Sequence, residues 1–344
     1  MKIPILPLLK KNMDMQLGKD FIKEMNDLGK ARQPFLFIID FEGLSPEVYR
    51  LTDVPDTISY KTPGYQNTIV TGVKKRKILL KKSPVPYIEY LTAFNHVLHH
   101  LKQGNSYLVN LTFPTPIETN LTLDEIFEFS QAPFKLLLKD QFVVFSPEPF
   151  IRIRDGVISS FPMKGTIDAS FPEAGCKLLA DPKEAAEHVT IVDLIRNDLS
   201  KVASKVTVAR YRYIDRIRTI DKEILQASSE IRGILPDDYW KHTGDILAAL
   251  LPAGSISGAP KKRTIEIIME TETVPRGFYT GVFGVFDGQN MESAVMIRFI
   301  EQTTDGLRYR SGGGVTHLSN PEAEYREMID KVYLPIKPNR TGLT

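Results

Sequence analysis

One lysine, three glutamates and a run of three glycines carry most of the chemistry this sequence can offer. Glu324 and Glu327 stand three residues apart near the end of the chain, where helical spacing puts them on one face. Just upstream come Gly312, Gly313 and Gly314, and a triple glycine lets backbone N–H groups crowd an anion without interference from Cβ atoms. Carboxylates beside an N–H cradle suit Mg²⁺ with an anionic ligand, because this hard cation takes a few protein oxygens and completes its shell with water and ligand. The same residues also suit a solvated helix face beside a turn. Glu187, next to His188, is a further acid, and Asp193, Arg196, Asn197 and Asp198 share its segment. Charged residues on a helix surface are ordinary, but here they face an apolar stripe.

Lys164 lies in Pro162-Met163-Lys164-Gly165-Thr166, between an apolar strand and a turn. Desolvation lowers the pKa of a lysine and frees its amine to act as a nucleophile or base; a solvated turn lysine is the alternative. Gly254 to Lys261 has the look of a phosphate loop but lacks the Gly-Lys-Ser/Thr ending with four residues between its glycines, which excludes nucleotide binding there. The chain contains no HExxH, Gly-x-Ser-x-Gly or GxGxxG pattern, so zincins, α/β-hydrolases and standard dinucleotide sites are excluded too.

The elements that must position these residues are legible from periodicity and breakers. Phe35 to Phe41 reads as a buried strand. Ile88, Leu91, Val97, Leu98 and Leu101 recur at helical spacing up to a stop at Gly104 and Asn105, and a strand follows over Tyr107 to Phe113. Lys135 to Leu138, Gln141 to Phe145 and Ile151 to Ile158, with a turn at Asp155 and Gly156, read as an antiparallel meander. A helix from Pro182 to Val202 carries the stripe Val189, Val192, Ile195 and Leu199, with Asp181 as its cap. A second helix spans Pro260 to Glu270, strands cover Gly281 to Phe286, Ser293 to Phe299 and Leu307 to Ser311, and a helix capped by Asn320 runs from Pro321 to Tyr333. Strands and helices mix without strict alternation, and no repeat or linker divides residues 1–344. The expectation is one α+β domain, two layers of mainly antiparallel sheet flanked by helices.

Composition agrees with a folded chain of 344 residues, 42% apolar and 25% charged. Lys plus Arg (44) nearly balances Asp plus Glu (42), so no whole-molecule field steers the protein to nucleic acid or membrane. The basic cluster Lys74, Lys75, Arg76, Lys77, Lys81 and Lys82 has no interleaved aromatics and reads as a solvated strand edge. The single cysteine, Cys176, forbids an internal disulfide, suits a reducing cytoplasm and reads as a packing residue. Ile3 to Leu9 is broken by Pro4 and Pro7 and does not read as a signal peptide, and no apolar run is long enough for a membrane span.

Several strings occur in an order that resembles the chorismate-utilising enzymes: Ser146-Pro147-Glu148, the segment ending at Thr166, Ala186-Glu187-His188 with Val192 to Leu199, Gly254 to Lys261, Arg276-Gly277 with Tyr279 and Gly281, Ile297-Arg298, Gly312 to Val315, and Glu324-Tyr325-Arg326-Glu327. The likeness is dense over residues 104–336 and loose over 1–100. Within the family it is greatest to the large subunits of aminodeoxychorismate synthases, which carry a nucleophilic lysine where anthranilate synthases usually carry alanine; Lys164 stands at that position. The resemblance implies chorismate and ammonia as substrates, with Lys164 attacking C2 as the C4 hydroxyl leaves, and Glu148 as general acid with a raised pKa. It further implies Mg²⁺ held by Glu187, Glu324 and Glu327, and substrate contacts from Gly165, Thr166, Tyr279, Arg298, Gly312, Gly313, Gly314 and Lys331. A separate glutamine amidotransferase subunit would supply the ammonia, since no nucleophilic-cysteine domain for that chemistry is found here.

Two departures from the family pattern stand out. Leu108 occupies the slot where isochorismate and salicylate synthases place a water-activating lysine, so water as nucleophile is disfavoured; amino-transferring relatives often have glutamine there. The histidine that many relatives place on the strand before the 240s has no counterpart between Ile220 and Glu230, and nearby Glu223 is not assigned its role. Two rival functions follow: anthranilate synthase, and an inactive member acting as a binding or regulatory subunit.

Overall fold

A computed structural model describes residues 17–68, 78–218 and 223–336. The apolar stretch Ile3 to Leu9 and the basic residues Lys74, Lys75, Arg76 and Lys77 lie outside them, as do residues 219–222. Among the described residues the strands form two nine-stranded sheets, antiparallel throughout. The first sheet runs in the order Met163–Asp168, Glu223–Ile234, Val157–Ser160, Pro149–Arg154, Met291–Val295, Val282–Phe286, Phe35–Ile39 and Glu47–Arg50, with Ser204–Arg218 also pairing Glu223–Ile234. At the heart of the second, Leu108–Thr119, Gly306–Val315, Phe299–Thr303 and Phe142–Ser146 lie side by side.

The two sheets pack against each other and carry helices on their outer faces. Phe35–Ile39 shows why its sequence is apolar without alternation. Leu36 and Ile38 point to the other sheet, where they meet Leu136 and Val144, while Phe35, Phe37 and Ile39 point outward to a core shared with helices Lys19–Lys30, Pro182–Leu199 and Thr243–Leu250. Burial on both faces demands apolar residues at both parities. Helices Tyr87–Lys102, Lys261–Thr271 and Pro321–Asp330 cover the outer face of the second sheet around Val109, Leu111 and Val315. No helix of the described residues is long and apolar enough to cross a membrane.

Several expectations need correction. The meander does not stay in one sheet: Phe134–Leu138 and Phe142–Ser146 belong to the second, Pro149–Arg154 and Val157–Ser160 to the first. Likewise the run Ser293 to Phe299 splits into Met291–Val295 in the first sheet and Phe299–Thr303 in the second. Glu148 and Arg298 therefore sit at the two points where the chain passes between sheets. The strand expected to end at Phe113 continues to Thr119 through Pro114 and Pro116, and the helix expected to reach Tyr333 ends at Asp330. In the helices, periodicity found the right element but partly the wrong face. Ile88 and Val189 are exposed, while Tyr90, Phe94, His188 and Ile191 are buried. Cys176 is exposed rather than packed. Lys81 and Lys82 do lie on an edge strand, Leu80–Lys82, as read.

Candidate active site

The two crossings between sheets are hydrogen-bonded to each other's strands. The Val295 N–H donates to the Glu148 carbonyl at 3.1 Å, and the Phe145 N–H donates to the Arg298 carbonyl, also at 3.1 Å. Arg298 reaches this position with φ +54°, the left-handed region that a side chain with a Cβ occupies only at a cost. Its Nε donates to the Tyr333 hydroxyl at 3.2 Å, and the guanidinium lies over that ring. Backbone strain at Arg298 and the paired crossings bring one acid and one guanidinium to the same end of the two sheets.

Glu148 is surrounded by the residues singled out in the sequence. Burial pushes its carboxyl pKa up; a hydrogen bond with Ser255 and the charges of Lys164, Arg298 and Lys331 pull the other way without prevailing. In a site of low dielectric, three cations around one carboxyl would be expected to hold it ionised, so desolvation is the larger effect here. Ser255 is a partner that the sequence did not single out. It belongs to the string Gly254 to Lys261, whose lysine turns inward instead: Lys261 Nζ is 2.6 Å from Asp198 and donates to the Leu250 carbonyl. A lysine held by a buried carboxylate is not a phosphate ligand, in line with the exclusion above.

Lys164 projects from strand Met163–Asp168 toward helix Pro182–Leu199. Its pairing with Glu223–Ile234 slips between Lys164 and Thr166, with Gly165 at φ +74° as the extra residue. Such a bulge re-aims the side chain beside it. The bulge needs glycine for φ, and a Cβ there would also have to move the side-chain ends of Glu184 and Leu178, 2.8 and 2.9 Å away. Thr166 shares the strand, but its side chain lies outside the described ones. The Lys164 ammonium stands 3.9 Å from Glu187 Oε2, with both side chains largely buried.

The triple glycine is not a turn. Gly312, Gly313 and Gly314 continue strand Gly306–Val315, paired with Thr112, Leu111 and Asn110. The Gly312 carbonyl accepts from Lys331 Nζ at 2.8 Å, and the facing Thr112 N–H donates to Glu272, so at this pair both strands point their polar groups away from each other. With a two-residue alternation the N–H groups of Gly312 and Gly314 share that outward direction. The neighbouring strand Phe299–Thr303 pairs only as far as Arg310, and beyond it these groups are left to face the site.

What a Cβ would displace defines the cradle. On Gly314 it would lie 3.0 Å from Lys164 Nζ, 2.9 Å from Leu108 Cδ1 and 3.9 Å from Glu187 Oε2; on Gly313, 3.5 Å from Glu324 Oε2, 3.6 Å from Lys331 Nζ and 3.8 Å from Glu327 Oε1. The Gly314 direction thus meets the lysine, Glu187 and the apolar Leu108, and the Gly313 direction, on the opposite face of the strand, meets Glu324, Glu327 and Lys331. Glu324 is buried and Glu327 exposed, its Oε1 2.7 Å from Lys331 Nζ. The closing helix starts as expected, with Asn320 accepting from the Glu322 and Ala323 N–H groups. Asp181 likewise accepts from the Glu184 N–H at the head of the long helix.

The three glutamates suit a hard cation by chemistry, since all are carboxylates lying beside the glycine strand. They are not gathered tightly. Among the described residues, the group of three His, Cys, Asp or Glu with ligand atoms all within 4.8 Å is His96, His100 and Glu270, elsewhere on the molecule.

Tyr279 is the remaining residue expected at the substrate, and Glu223 carries no assigned role. Tyr279 is 4% exposed and packed edge-on to Phe299 in the inter-sheet core, where burial pushes its hydroxyl up to about 12. Arg310 lies over its ring, 5.4 Å from the centroid. Glu223 pairs with Arg216 at 2.9 Å. His188 stands out in the sequence only as part of a string. It is fully buried, its Nε2 2.7 Å from Ser229 Oγ, and burial together with the nearby Arg212 and Lys164 charges pushes its pKa down to about 4. Arg276, also quoted only as part of a string, is a buried clasp that binds Glu272 and donates to the Ile256 and Asn110 carbonyls, tying the Ser255 segment to strand Leu108–Thr119.

Comparison with known proteins bears on this arrangement. Over 318 residues the chain is 50% identical to an uncharacterized PabA-like protein of Pasteurella multocida, covering 92% of this chain and 98% of that one. It is 36% identical over 250 residues to an anthranilate synthase component 1 of Haloarcula marismortui, covering 68% of this chain and 48% of that one. To the aminodeoxychorismate synthase component 1 of Salmonella typhimurium it is 35% identical over 266 residues, covering 73% and 57%. The fold is similar to that of the menaquinone-specific isochorismate synthase of Escherichia coli, with a TM-score of 0.70, 16% identity, and coverage of 91% of this chain and 80% of that one. The model of the chorismate binding enzymes matches residues 55–337, a span that holds every residue of the site described above, and the chain belongs to that family.

Proposed function

We propose that this chain aminates chorismate at C4, as the large component of an aminodeoxychorismate synthase. The observation that supports this most is the Lys164 amine, 3.9 Å from Glu187 and against Gly314, within electrostatic reach of a Glu148 carboxyl whose pKa is raised. A carboxyl of raised pKa beside an amine suits a substitution in which hydroxide must leave. Identity alone does not choose, since the anthranilate synthase and aminodeoxychorismate synthase relatives are equally near.

In this mechanism Arg298, Lys331 and the outward N–H groups of the glycine strand hold the carboxylates of chorismate. Lys164 Nζ bonds to C2 while the C4–O bond breaks, and Glu148 gives its proton to the departing hydroxyl, which leaves as water. Ammonia then bonds to C4 as the C2–Nζ bond breaks, and the proton shed by the new ammonium returns Glu148 to its acid form. Two displacements leave nitrogen where oxygen had been. Leu108 supports this course, because an apolar wall beside the amine offers no base to activate water. Glu187, Glu324 and Glu327 are the residues to hold Mg²⁺, which when bound would neutralise the ring carboxylate and draw electron density from the ring. The nitrogen would come from a glutamine amidotransferase partner in the cell.

Identifying the product from chorismate, Mg²⁺ and an ammonium salt tests the proposal. The expected product is 4-amino-4-deoxychorismate, which yields p-aminobenzoate only after a lyase is added. Anthranilate fluorescence without a lyase would overturn it in favour of C2 amination, and absence of turnover in favour of a binding subunit.

A further inference from the structure

We propose that His96, His100 and Glu270 form a transition-metal site, of the kind that takes Zn²⁺, joining helix Tyr87–Lys102 to helix Lys261–Thr271. His96 and His100 are four residues apart and share a helical face, and Glu270 lies in the last turn of the facing helix. One ligand atom from each lies within 4.8 Å of the others, and His100 Nε2 is 3.7 Å from Glu270 Oε2. A tetrahedral ion with bonds of about 2.0–2.1 Å separates its ligands by about 3.3 Å, so closing the site takes side-chain shifts of roughly an ångström. Imidazole with a carboxylate favours zinc and its neighbours over magnesium.

The hydrogen bonds around the rings carry the inference further than proximity does. Thr271 Oγ1 donates its proton to the Ile267 carbonyl at 2.6 Å, so toward His96 Nδ1, 2.9 Å away, it can only accept. His96 therefore carries its proton on Nδ1 and keeps the Nε2 lone pair for an ion. A ring N–H donated to a neighbouring oxygen, with the other nitrogen turned to the ion, is how metal-bound histidines are usually oriented. His100 Nδ1 lies 3.0 Å from the side-chain amide of Asn105. That amide nitrogen also donates to Gln103 Oε1 at 3.2 Å, so ion binding through His100 Nε2, which faces Glu270, requires the Asn105 and Gln103 amides to turn over and bring the Asn105 oxygen to Nδ1–H. Arg263 also contacts Glu270, 3.3 Å from its other oxygen, so the carboxylate keeps Oε2 for the ion. This site shares no residue with the glutamate cradle.

The test uses the full chain stripped by chelator and held in excess Mg²⁺, which occupies sites that prefer hard oxygen ligands. Zn²⁺ is titrated by calorimetry, and Co²⁺ by its visible absorption, which reports tetrahedral coordination. We expect one ion per chain. His96→Ala and His100→Ala should each weaken binding by about 100-fold or more, and Thr271→Val, which removes only the partner of a ligand, by about 10-fold. His96 is exposed, so its variant should fold, and thermal melts check this. Absence of saturable Zn²⁺ binding, or full-affinity binding in a folded His96→Ala/His100→Ala double variant, would overturn the proposal.

Discussion

Two lysines on strands, one in each sheet, show what separates a buried amine from a useful one. Lys135 is 2% exposed, deeper than Lys164, and burial with the nearby Lys61 charge pushes its pKa down to about 8. Yet its Nζ donates to the Phe127 carbonyl at 2.6 Å and lies over the Phe127 ring, an arrangement that uses the amine to close the end of helix Leu123–Phe129. Lys164 is turned by a bulge toward a carboxylate and a strand of glycines, with room left by the missing Cβ of Gly314. Burial is common to both. The difference lies in what the amine faces, a carbonyl that consumes its donors or a cradle built to hold something else.

Substitution separates the two most sharply. Lys164→Ala should lower C4 amination by at least about 10³-fold, as expected for loss of a nucleophile. Lys135→Ala should leave kcat within about threefold but cost about 1–3 kcal/mol in urea unfolding, because the Phe127 carbonyl loses its nearer donor and keeps only the long bond from Ser130 Oγ. Equal activity losses in the two variants would erase the contrast. Glu148→Gln comes next, with kcat reduced by about 10²–10⁴. In the parent enzyme activity should fall as pH rises through the raised Glu148 pKa, and a pH profile unchanged by the substitution would assign the acid role elsewhere.

The smallest effect concerns the floor of the Lys164 region. His188 has an ordinary value near 6.5 when unfolded and about 4 when folded, so between these pH values the unfolded chain binds a proton that the folded one refuses. Stability should be undiminished by this group above about pH 6.5 and fall as pH drops toward 4. Melting temperatures across that range should decline less in His188→Gln; an identical decline would place the sensitivity in another group.

The comparison of lysines also marks how far the sequence could be read. The glycine run, the closing glutamates and Lys164 were visible as types at spacings, and Asn320 and Asp181 as caps, because each depends on local rules. What could not be seen was non-local. Nothing in Ser146 to Ile158 or Ser293 to Phe299 says that the chain changes sheets at Glu148 and at Arg298, since both sides of each crossing are apolar strand. The faces of the helices were misjudged for a related reason: Tyr90 and His188 are buried by what packs on them, while Ile88 and Val189 have the right chemistry on the wrong side. Ser255 was hidden inside a string that looked like a loop for phosphate, and only the folded chain turns it to Glu148.

A covalent bond between Lys164 and the substrate is the centre of the account, and quenching the enzyme in acid during exposure to chorismate and Mg²⁺ without ammonia tests it most directly. Mass spectrometry of the digest should then find the peptide carrying Lys164 heavier by one chorismate less one water, with no such peptide from Lys164→Ala. An active preparation that never yields this adduct, and turns over equally well after Lys164 is replaced, would contradict it.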